Sequence, residues 1–170
     1  MSNCPYQYIK SMKPASTTDI KQRLKETEKK ELVEICLRLA RFKKDNKELL
    51  SYLLFEKDDL TNYVKNVKEE IDEGFSIINT SNVYFAKKTI RKVLRIANKH
   101  IRYTSDKTAE ADILLHYLTD FRGLSLNWQK STALSNLYKG QVKKIAAAIA
   151  SMHEDLQYEY TRELNRLKID

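Results

Sequence analysis

Apolar positions recur every three or four residues through most of this chain, the spacing that a helix of about 3.6 residues per turn requires. The pattern is sharpest from Val83, where Val83, Ala86, Ile90, Val93, Leu94, Ala97 and Ile101 make one buried face. Phe85, Thr89, Ile96, His100 and Tyr103 flank it, and Lys87, Lys88, Arg91, Lys92, Arg95, Lys99 and Arg102 fill the remaining arc of about 140°.

Other helices follow from the same period. Thr17, Thr18 and Asp19 offer caps to a short helix around 20–25. From about 28 to 43, Leu32, Ile35, Cys36, Leu39 and Phe42 form a stripe widened by Val33, Leu37 and Ala40, apolar enough to predict a central helix. Asp45 and Glu48 have the spacing of a capping box for a helix through Leu49, Leu50, Leu53 and Leu54, and the short link predicts an antiparallel hairpin. Asp58 or Asp59 caps a helix carrying Leu60, Val64, Val67, Ile71, Phe75 and Ile78, with Glu69, Glu70, Asp72 and Glu73 on its outer side. Asn79 to Asn82 separates this acidic helix from the basic one.

After the basic helix, Thr104-Ser105-Asp106 starts a helix with Ala111, Leu114, Leu115, Leu118 and Phe121, stopped by Gly123. Trp128 follows in a loop, where it plugs the core or anchors a partner. The last stripe, from Tyr138 through Val142, Ile145, Ile149, Met152, Leu156, Tyr160 and Leu164 to Leu167, predicts one helix over 131–168, about 55 Å long, with Gly140 as an early kink and an end able to form a dimer. The fold class is all-α: antiparallel helical hairpins, five or six helices in all, with the long C-terminal helix packed across them as a bundle or short stack. Residues 1–16, which hold both prolines and no period, are expected to be a flexible tail before a single helical domain, 17–170.

Composition agrees with that class. Three glycines and two prolines among 170 residues are too few for the turns of a many-stranded protein. Two cysteines exclude a disulfide framework; Cys36, between Ile35 and Leu37, is expected in the core. No apolar run is long enough for a signal peptide or a membrane span, so the expected location is the cytoplasm, with no membrane partner. The net charge of +8 resides almost wholly on the basic helix, since removing its seven cations leaves +1. Such a charge favours anionic partners.

Candidate chemistry is sparse. Asp112, His116 and Asp120 share a helical face and have ligand chemistry, but no second helix supplies matching ligands, so no metal is expected there. Neither a nucleophile elbow nor a phosphate-cradling glycine loop is present, and no enzyme or cofactor is expected. Lys88, Arg91, Lys92, Arg95, Lys99 and Arg102 recur along about 20 Å, suited to a phosphate backbone or an acidic protein surface, with Tyr84 on the same arc and Asn98 at its edge. The opposing reading makes the stripe a solvated face, or one answered by Glu69, Glu70 and Glu73. Ten tyrosines point to interfaces.

The order of elements resembles an uncharacterised family of small bacterial helical proteins. The likeness lies in Lys-Glu-Leu-Val-Glu-Ile-Cys-Leu-Arg-Leu, Asn-Lys-Glu-Leu-Leu-Ser-Tyr-Leu, the basic Lys-Lys-Thr-Ile-Arg-Lys-Val-Leu-Arg and Ala-Asp-Ile-Leu-Leu-His-Tyr-Leu. It implies an all-α fold and a cytoplasmic bacterial origin, and brings no activity with it. Two functions are expected from the residues. The first is a non-enzymatic interaction or scaffold protein that binds another protein or itself. The alternative is non-specific nucleic-acid binding through the basic helix, 83–103.

Overall fold

A computed structural model describes residues 13–169, and among them there are eight α-helices and no strand. The fold is all-α, as the spacing of apolar residues predicts. Most of the expected tail, 1–16, lies outside the described residues. No helix of the described residues is long and apolar enough to cross a membrane. The chain forms two compact units, 1–50 and 51–170.

The first unit holds α1 (Thr17–Glu26), α2 (Lys29–Phe42) and all but the last residue of α3 (Lys44–Ser51). Ser16 caps α1: its hydroxyl accepts from the Asp19 amide at 3.2 Å while Asp19 reaches back to the Ser16 amide at 3.3 Å. The expected central role of α2 is not met, because none of its residues is buried and Phe42 is 75 % exposed. Cys36 is likewise exposed. Lys43 alone separates α2 from α3, too short a link to fold one helix back along the other, so the expected hairpin is instead a corner. The Asn46 amide fastens that corner by donating to the Leu39 carbonyl at 3.0 Å.

The second unit begins with a π-helical turn, Tyr52–Glu56, which ends the helix before Leu53 and Leu54 can extend it regularly. There follow α4 (Leu60–Ser76), α5 (Val83–Thr104), α6 (Lys107–Gly123), a 3-10 turn (Trp128–Lys130), α7 (Thr132–Ile149) and α8 (Glu154–Leu167). Each junction has a local cause. Asp59, Asn82 and Asp106 accept from the backbone amides of Asn62, Tyr84 and Ala109 and so cap α4, α5 and α6. Ser105 ends α5 in the left-handed region at φ 50°, its amide bonded to the Ile101 carbonyl at 3.1 Å.

α6 is the centre of this unit and packs against α4, α5, α7 and α8. Its sequence explains the position: Ala109, Ile113, Leu114, Tyr117, Leu118 and Phe121 cover about half of the helix circumference, Ala111 and Leu115 widen that arc further, and all are buried. Gly74 lets α4 and α5 approach closely, since a Cβ there would lie 2.6 Å from Val93 Cγ2. Trp128 turns out to be a core residue at 1 % exposure, stacked on Tyr138 with centroids 4.8 Å apart and tilted on Phe121 at 4.9 Å.

The C-terminal segment differs from the single long helix predicted. It breaks over 150–153, and α8 returns antiparallel to α7, so that the Tyr138 hydroxyl near the start of α7 donates to the Leu167 carbonyl at the end of α8, 2.7 Å away. His153 caps α8, with Glu154 and Asp155 in its first turn where the helix dipole favours acids. Gly140 lies within α7 without interrupting it.

Candidate nucleic-acid interface

The basic face of α5 does not stand alone. α7 rises beside it, and the two helices bound an open groove of about 670 Å³ lined by Tyr84, Lys87, Lys88, Arg91, Leu94, Arg95, Asn98 and Leu137. Of the predicted cations, the groove gathers Lys88, Arg91 and Arg95; Lys92, Lys99 and Arg102 are not among its lining residues. Leu94 and Leu137 give it an apolar floor and wall. Tyr84, 67 % exposed, stands in the first turn of α5 with the Lys87 ammonium 5.8 Å from its ring centroid.

Neutralisation by the acidic helix was the chief alternative to a binding face. α4 and α5 do pack together, yet the acids of α4 that form pairs do so with residues other than the groove cations. Glu69 pairs with Lys65 at 4.0 Å, Glu70 with His100 at 3.0 Å and Asp72 with His116 at 2.5 Å. Among the described residues, no ion pair joins Lys88, Arg91, Lys92, Arg95 or Arg102 to a carboxylate. Lys99, partly buried, has an interaction of its own. The groove cations therefore keep their full field for a ligand, in a concave setting that focuses it.

Lys144 of α7 holds the wall in place. Its ammonium donates to Asn98 Oδ1 on α5 at 2.7 Å and lies 3.2 Å from Glu110 Oε1 on α6. Glu110 is nearly buried and also accepts from Lys107 at 2.8 Å. Burial works against its charge, but the two lysine hydrogen bonds outweigh it and hold the carboxyl below its ordinary range. The Asn98 amide nitrogen donates in turn to the Leu94 carbonyl at 2.9 Å. Neither Leu137 nor Lys144 is marked by the pattern of α5 itself; they come from a helix about 45 residues further on.

The predicted trio Asp112, His116 and Asp120 is rearranged. Asp112 pairs with Lys68 at 3.7 Å and faces the Tyr160 hydroxyl, whose ionisation burial and Asp112 both oppose. In its place Asp72 of α4 reaches His116, and one ligand atom each of Asp72, His116 and Asp120 lies within 4.8 Å of the others. One nitrogen and two oxygens are a partial donor set for a divalent ion, but the His116 Nε2 and the Asp72 carboxylate are already hydrogen-bonded to each other. Asp120 Oδ2 is buried without a hydrogen-bond partner, and burial, then the adjoining Asp72 carboxylate, pushes the Asp120 carboxyl up to about 6 against the pull of His116.

His100 is a structural link. Its Nδ1 accepts from the Tyr63 hydroxyl at 2.7 Å and its Nε2 donates to Glu70 at 3.0 Å, tying α4 to α5 behind the groove. The chain matches no protein-family model, no curated protein and no solved structure, so the side chains of this groove carry the functional reading.

Proposed function

We propose that this protein is a non-enzymatic binding protein that engages nucleic acid through the α5–α7 groove. The observation that carries the reading is the set of cations Lys88, Arg91 and Arg95, unanswered by any carboxylate among the described residues, around a groove with an exposed ring at its edge. A phosphate polymer supplies the missing negative charge and releases its condensed counterions on binding. Fluorescence anisotropy with labelled oligonucleotides tests it. Binding at low salt that weakens at physiological salt, and is lost in Arg91→Glu/Arg95→Glu, is the expected result; no binding at low salt refutes it.

A second reading, docking of a helical protein partner or a second copy, is favoured by α2. Leu39 and Phe42, three residues apart on one side of the helix, are 55 and 75 % exposed, and Val33 and Leu37 on the other side are 49 and 38 % exposed, apolar surface of the kind that partner helices cover. Self-association or partner capture abolished by Leu39→Glu/Phe42→Glu supports that reading, and unchanged behaviour of the variant removes it.

A further inference from the structure

We propose that the groove takes single-stranded nucleic acid, its phosphates held by Lys88, Arg91 and Arg95 and one base stacked on the ring of Tyr84, without reading sequence. This rests on the nucleic-acid reading above and specifies its ligand.

Three observations lead to it. The first is the fate of the tyrosines. Tyr52, Tyr63, Tyr103, Tyr117 and Tyr138 are buried; Tyr158 is 78 % exposed on α8, outside the groove, and Tyr84 is 67 % exposed in the groove that also holds the cations. Its neighbour Phe85, 53 % exposed, meets it edge-on at 5.6 Å between centroids. An exposed ring beside a row of cations is the arrangement on which unpaired bases stack, because every base presents a π-face. A duplex keeps those faces inside its own stack.

The second observation is shape. A helix that reads duplex DNA projects into the major groove. α4 and α6 back α5, and Leu137 of α7 lines the same groove, so the cations border a concavity rather than a free-standing helix face. The site is concave, and its floor of Leu94 and Leu137 suits the apolar faces of an unstacked strand rather than the charged outside of a duplex. Lys88 to Arg95 spans about 10 Å along the helix axis, room for several phosphates of one strand.

The third concerns specificity. Asn98 supplies the amide in the lining, and a side-chain amide identifies adenine by turning both its donor and its acceptor to the base. Here one amide hydrogen is bonded to the Leu94 carbonyl and the oxygen accepts from Lys144, so both ends of the amide are already tied within the protein and it is not free to turn its edge to a base. The ligand then meets chiefly charge and one ring, and neither distinguishes bases strongly.

The test compares three labelled probes on the full chain at low salt: an oligothymidylate, an abasic deoxyribose-phosphate strand of the same length, and a duplex. Wild type is expected to bind the oligothymidylate roughly 5- to 100-fold more tightly than the abasic strand, the worth of one stacked base. Tyr84→Ala should erase that ratio while leaving abasic affinity unchanged, and Tyr84→Trp should restore it. Equal wild-type affinity for the two strands, tighter binding of the duplex, or an equal loss of both strands in Tyr84→Ala overturns the single-strand assignment while the nucleic-acid reading survives. Failure of all three probes to bind overturns both.

Discussion

Replacing Lys144 by Met keeps most of the aliphatic stem and removes the ammonium that joins three helices. The loss can be worked from its two bonds. The contact with Glu110, a carboxylate side chain only 9 % exposed, is a hydrogen bond to a charged group and contributes about 1.5–3 kcal/mol. Lys144 is itself 38 % exposed, so water recovers part of this and about 1–2 kcal/mol remains. Asn98 Oδ1, partly buried, loses its donor as well, which brings the expected destabilisation to about 2–3 kcal/mol at neutral pH. The pH dependence follows from Glu110, whose folded carboxyl is held below its ordinary 4.5. A lowered carboxyl contributes stability above its unfolded value and loses it as pH falls through the folded one. The gap between wild type and Lys144→Met is therefore full at neutral pH and narrows below 4.5. Urea unfolding followed by Trp128 fluorescence measures it, in a cycle with Glu110→Gln. The cycle should show coupling of about 1 kcal/mol or more; additivity within about 0.3 kcal/mol, or an equal loss at neutral and acid pH, refutes the reasoning.

Asp120 has the opposite sign. Its folded carboxyl, near 6, lies above the ordinary 3.8, so ionising it costs stability fully above the folded value and nothing below the unfolded one. Asp120→Asn should stabilise the protein by up to about 3 kcal/mol at pH 8 and much less at pH 4, read from thermal unfolding at both values. Phe121→Ala removes a fully buried ring that touches Tyr117, Trp128 and Tyr138, and should cost about 3–5 kcal/mol in urea unfolding with a shift in Trp128 emission; a cost below about 1 kcal/mol would contradict the packing described for this cluster.

The basic helix was legible because both of its faces are written in one continuous segment: the apolar stripe from Ala86 to Ile101 is buried and the cations lie opposite. The C-terminal break was hidden because Ile149, Met152 and Leu156 keep helical spacing across it, so periodicity continues where the backbone turns. Its local signal was His153 followed by Glu154 and Asp155, an N-terminal signature that a stripe-based reading passes over. α2 shows the converse limit: its stripe identifies a helix with an apolar face, but a face does not say what covers it. The groove was half legible. Lys88, Arg91 and Arg95 announce themselves by spacing, whereas Leu137 and Lys144 reach the site only through tertiary packing, as Asp72 does in displacing Asp112 from the side of His116.

The central claim is that the groove cations of α5 bind the phosphate backbone, and the salt dependence of oligonucleotide affinity tests it most directly. With Lys88, Arg91 and Arg95 of the groove lining holding phosphates, the logarithm of the association constant for a single strand should fall against the logarithm of salt with a slope of about −2. Arg91→Gln/Arg95→Gln should reduce that slope to about −0.7. A slope near zero, or one that the double substitution leaves unchanged, would contradict the account and return these cations to the role of a solvated helix face.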